Sequence, residues 1–79
     1  MRKKSEKVFQ DLRRRIGINL ARIRASQGLS FEKLGNRAGL HVRHLQKIEA
    51  GESNATLVTI ARLARGLDVD ALELIARAS

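Results

Sequence analysis

Apolar residues recur at Val8, Phe9, Leu12, Ile16, Leu20 and Ile23, in the steps of three and four that mark one face of an amphipathic helix. The stripe predicts a first helix from about Glu6 to Gln27-Gly28, with Met1–Ser5 left flexible. Ser30 is placed to cap a second, short helix carrying Leu34 and Ala38, which Gly39 ends. Val42 to Ala50 form a third with Leu45 and Ile48 inward, and Gly51 offers a left-handed exit. Thr56 caps a fourth, whose buried stripe is expected to be Leu57, Ile60, Ala61, Leu63, Ala64 and Leu67. Asp70 caps a fifth containing Ala71, Leu74 and Ile75. The pattern predicts an all-α, compact five-helix bundle, and the absence of internal repeats or Pro/Ser-rich linkers points to one domain.

The middle of the chain narrows this. Gly39 supplies a tight turn, Leu40 plugs the junction, and Leu34, Ala38, Leu45 and Ile48 form a shared core. A glycine inside a helix costs about 1 kcal/mol against alanine. Gly35 is therefore expected where a neighbouring helix approaches too closely for a side chain. This is helix-turn-helix spacing.

Composition agrees. The 79 residues include no proline, no cysteine and two aromatics, Phe9 and Phe31, which disfavours a β-sandwich and excludes disulfides and Cys-based zinc sites. So small a chain has a limited core, which makes oligomerisation an expected source of stability. The net charge is +8. Residues 1–39 carry eleven Lys/Arg against three Asp/Glu, and residues 40–79 carry five against five, so the whole excess lies in the first half. A polyanionic partner is the first implication. No run approaches the roughly 18 apolar residues of a membrane span, and the basic start lacks the apolar segment of a secretory signal; a cytoplasmic location is expected.

Most candidate chemistry lies in GLHVRHLQKIEAG, residues 39–51. His41 and His44 invite a metal site or a catalytic base. A tetrahedral site wants at least three protein ligands, however, and Glu49 is the only nearby acid in register, so no metal is expected. With no phosphate-cradling glycine loop, no nucleophile–base pair and little room for a small-molecule pocket, neither an enzyme nor a cofactor is expected. Arg43 and Lys47, four apart on one face, can donate to guanine O6 and N7. Gln46 can pair with adenine, and Val42 offers an apolar surface to a thymine methyl. The competing reading is a protein-binding adaptor or antitoxin-like module. Its face should be apolar and aromatic, whereas this one is basic and polar. Single-stranded RNA would want exposed aromatic platforms, which this chain lacks.

From Ile16 to Ile75 the chain resembles the Xre/Cro/C1-type helix-turn-helix regulators, which include phage repressors and restriction–modification controller proteins. The resemblance rests on IGINLARIRASQGLS, FEKLGNRAGLHVRHLQKIEAG, SNATLVTIARLARGLDV and DALELI, in that order. It implies a lambda repressor-like DNA-binding domain over residues 16–79, preceded by a basic, partly helical extension over residues 1–15. The third helix would lie in the major groove of double-stranded DNA, with His41, Val42, Arg43, Gln46 and Lys47 at base edges and His44 nearer a phosphate. Further phosphate contacts would come from Ser30, Phe31 and Lys33 at the start of the second helix, and from Ser53 and Asn54, with main-chain donors of Gly51 and Glu52, after the third. The chain departs from the family where Phe31 replaces the usual Gln and Ala55 a frequent Pro. Phe31 can offer phosphate only its backbone N–H, and its ring is expected to pack on the extension or a DNA sugar. An acid in the last turn opposes the helix dipole, and the resemblance pairs Glu49 with Arg24. It also implies a homodimer on palindromic DNA with half-sites about 34 Å apart. Leu72, Leu74 and Ala78 form the leading interface candidate, and Val8, Phe9 and Leu12 compete with them.

Overall fold

The computed structural model describes residues 3–77, which form α1 (Lys3–Ser26), α2 (Phe31–Ala38), α3 (Val42–Glu49), α4 (Leu57–Leu67) and α5 (Leu72–Ile75). No strand occurs among the described residues. Helix α1 starts three residues before the predicted Glu6. Lys3, Lys4, Glu6 and Lys7 are straight-chain helix formers, and Glu6 in the first turn suits the helix dipole. Of the segment expected to be flexible, Lys3–Ser5 are therefore helical, while Met1 and Arg2 lie outside the described residues.

Helix α1 packs on α3 and α5, and α2 packs on α3 and α4. Leu20, Leu34, Leu45, Leu63, Leu67 and Leu74 are fully buried where these helices meet, with Ile16, Ile23, Leu29 and Ile48 around them. Each such side chain contributes roughly 1.5–3 kcal/mol by leaving water. Helix ends are closed by local chemistry. The Ser30 hydroxyl accepts from Lys33 N at 3.1 Å, and Thr56 accepts from Thr59 N at 3.1 Å. Gly39 leaves α2 at φ 69°, where a Cβ would be strained.

Three expectations change. Leu57 is 85% exposed and Ala61 is exposed as well. At 100° per residue both sit on the shoulder of a stripe centred on Ile60, Leu63, Ala64 and Leu67, and Leu57 stands at the helix end. Gly35 is crowded by its own turn rather than by a neighbouring helix: a Cβ there would lie 2.6 Å from the Leu40 carbonyl oxygen. The close helix-to-helix approach is instead at Gly17, where a Cβ would lie 2.6 Å from the Glu49 carbonyl oxygen and 2.7 Å from that of Ile48. Helix α5 begins after Ala71, not with it. Asp70 still closes its start, accepting from Leu72 N at 2.8 Å while Glu73 Oε2 accepts from Asp70 N at 3.3 Å.

The far end of α5 is held by a side chain that periodicity did not single out. Asn19, 1% exposed, donates from Nδ2 to the carbonyls of Leu74 (2.9 Å) and Ala76 (2.8 Å), and Arg15 Nη1 donates to that of Ile75 (3.3 Å). These carbonyls have no partner within so short a helix, so α1 supplies one. The signal was an asparagine standing at stripe spacing between Ile16 and Ile23.

Candidate nucleic-acid interface

Helix α3 is anchored by one face and free on the other. Leu45 and Ile48 are buried, whereas His41, Arg43, Gln46 and Lys47 are exposed side by side. Val42 is half-buried, so only part of its surface remains for a base contact. His41 is the N-cap residue of α3, but its side chain makes no capping hydrogen bond.

The anchoring is completed by Arg24. Its Nε and Nη2 donate to the two carboxylate oxygens of Glu49, the second pair at 3.2 Å, and Nη1 donates to the Leu29 carbonyl at 2.8 Å. The Phe31 ring lies beneath the same guanidinium, its centroid 4.0 Å from the central carbon. One side chain of α1 thereby fixes the entry to α2, the first residue of α2 and the last residue of α3. The hydrogen bond and charge of Glu49 raise the Arg24 pKa further above its already high ordinary value, against the opposing effect of burial. Phe31 thus packs on Arg24 rather than on the N-terminal segment of α1, and its aromatic ring has no donor for a phosphate.

At the start of α2, the Ser30 hydroxyl oxygen is engaged with Lys33 N, and Lys33 itself is exposed. After α3 the backbone closes on itself. Gly51, at φ 74°, donates to the Ile48 carbonyl at 3.0 Å, and Glu52 N to that of Lys47 at 3.0 Å. This is a Schellman closure. It engages the Gly51 and Glu52 N–H groups that were expected to face DNA. His44 Nε2 lies 3.3 Å from the Ser53 hydroxyl, so these two candidate phosphate ligands are bonded to each other and pin the loop to α3. Asn54 is exposed; its Oδ1 accepts from Arg13 Nη1 at 3.5 Å, leaving its amide N–H groups outward. Gly51 also packs against Arg14 of α1, a Cβ there falling 3.5 Å from the Arg14 Cα. Among the described residues, no three His, Asp or Glu side chains come together as metal ligands.

The expected interface at α5 dissolves. Leu74 is fully buried in the core, because a helix of one turn turns one of its leucines inward and Leu74 is that one. Leu72 is 66% exposed, and Ala78 lies outside the described residues.

Comparison with known proteins places this architecture. The sequence profile of the helix-turn-helix domain family matches residues 15–78. An uncharacterised HTH-type transcriptional regulator, y4dJ of Sinorhizobium fredii, is 37% identical over 65 residues, covering 82% of this chain and 84% of that protein. Control protein C.SmaI of Serratia marcescens is 32% identical over 69 residues, covering 87% and 82%. The crystal structure of the restriction–modification controller protein C.AhdI from Aeromonas hydrophila superposes with a TM-score of 0.76 at 35% identity, covering 78% of this chain and 94% of that one. The chain belongs to the helix-turn-helix family of Xre/Cro/C1-type DNA-binding regulators.

Proposed function

We propose that the chain is a sequence-specific transcriptional regulator that lays α3 in the major groove of double-stranded DNA and binds a two-fold operator as a homodimer. The observation that carries this reading is the division of α3 into a face locked by Leu45, Ile48 and the Arg24–Glu49 pair and a face presenting Arg43, Gln46 and Lys47 to solvent. Rigid presentation of donors is what base-edge recognition requires. Family membership, and the likeness to a transcriptional regulator and to controller proteins, support it. Arg43 and Lys47 suit guanine, Gln46 suits adenine, and the exposed His41 ring lies at the edge of the same surface. Lys33, the outward N–H groups of Asn54, and the free backbone N–H groups at the start of α2 are placed for phosphates. The family is not an enzyme family, and the proposed activity is binding. Among the described residues, no helix is long and apolar enough to cross a membrane.

Selecting bound sequences from a random duplex pool, then titrating the winner across salt, tests the proposal. A two-fold consensus bound with steep salt dependence is expected; equal affinity for all sequences would sink it. Arg43→Ala should cost about 1–3 kcal/mol at one base position. A uniform loss across all sequences would reassign Arg43 to phosphate.

A further inference from the structure

The first three turns of α1 carry an apolar face that nothing in the chain covers. Val8 is 57% exposed and Leu12 38%, and with Ser5 and Phe9 they line a shallow surface depression. The same face continues into a groove of about 260 Å³ between α1 and the start of α4, lined by Phe9, Leu12, Arg13, Leu57, Ile60 and Ile75, with Leu57 standing out of its rim. Duplex DNA does not suit an apolar groove. The groove wall also holds a charge with an incomplete shell. Arg13 stacks on Phe9, its central carbon 4.7 Å from the ring centroid, and Nη1 reaches Asn54, yet its buried Nε has no hydrogen-bond partner. Arginine at such a site calls for a carboxylate.

We propose that this face binds a second copy of the chain, the two α1 segments packing antiparallel about a two-fold axis near residue 10. The inference rests on the homodimer reading above and names its surface. A two-fold contact is isologous: if residue i meets j, then j meets i. In an antiparallel pair centred near residue 10, Val8 meets Leu12 of the second copy and Leu12 meets its Val8. The same register sets Glu6, which is exposed, opposite Arg13 of the second copy, and Arg13 opposite its Glu6. At 100° per residue, Glu6 and Arg13 share one flank of α1, beside the apolar face, and like flanks meet in an antiparallel two-fold pair. One register therefore satisfies both the apolar ridge and the unpartnered Arg13 Nε. Self-complementarity of ridge, groove and charge is the argument for a second copy over an unrelated protein.

Sedimentation equilibrium of the full chain tests this. The wild type should be a dimer. Leu12→Asp should weaken dimerisation at least about tenfold, with helix content by circular dichroism retained. Glu6→Arg and Arg13→Glu should each weaken it similarly, because each variant sets like charges against each other twice. Mixed in equal amounts, those two variants should form a heterodimer, since both contacts regain opposite signs. A mixture that stays monomeric overturns the register. If the wild type and all three variants dimerise equally well, the surface lies elsewhere and the proposal fails while the homodimer reading stands. A wild type that stays monomeric at every concentration overturns the homodimer reading itself.

Discussion

The two halves of α1 obey the same helical period and meet opposite fates. From Ile16 onward, the apolar stripe is buried, Gly17 lets α3 approach, Asn19 holds α5 and Arg24 holds α3. Before Ile16, Val8 and Leu12 continue the pattern but remain in contact with solvent. A hydrophobic period thus states that a face is meant to be covered. It does not state whether the cover is the chain itself or another molecule.

Substitutions can break this contrast, and the largest effect is expected in the core. Leu45→Ala should destabilise by about 2–5 kcal/mol in chemical denaturation, because the site has no solvent to fill the cavity. Leu12→Ala at dilute, monomeric concentration should cost less than about 1 kcal/mol. Equal costs would mean that the N-terminal segment is as integral to the fold as α3. Next comes Arg24→Met, with an expected loss of about 1–3 kcal/mol. It sits below the cost of breaking a fully buried pair, since Arg24 and Glu49 retain 21% and 14% side-chain exposure. A double-mutant cycle with Glu49→Gln should show coupling, and additive losses would remove the pair from the anchoring of α3. The smallest effect is expected for Asn19→Ala, at about 1–2 kcal/mol. Its signature is local: amide exchange in α5 should accelerate while α2 and α3 keep their protection. Uniform acceleration would show that α5 is not a separate, stapled element.

Much of this was legible where the chemistry is local. Ser30 and Thr56 could be placed as caps because a hydroxyl before an apolar run has a nearby backbone N–H to accept from. Arg24 and Glu49 could be paired through family likeness and the unfavourable position of an acid at a helix end. Legibility failed where partners are distant or where one turn decides the face. Leu72 and Leu74 differ in burial although both sit in one short helix, and no period can be measured over four residues. The bond between His44 and Ser53 and the stack of Phe31 under Arg24 depend on how the segments meet in space. Asn19 carried a signal, a polar side chain in an apolar stripe, whose partner could not be named because α5 lies 55 residues away.

The two-faced construction of α3 also bears on how such a protein diverges. The residues that hold the helix, Leu45, Ile48 and Glu49, are not the ones offered to DNA. Exchanging Arg43, Gln46 or Lys47 therefore falls in the class of surface changes that typically alter stability by no more than about 0.5 kcal/mol. Duplicated copies of this gene can acquire new target sequences step by step, with every intermediate still folded.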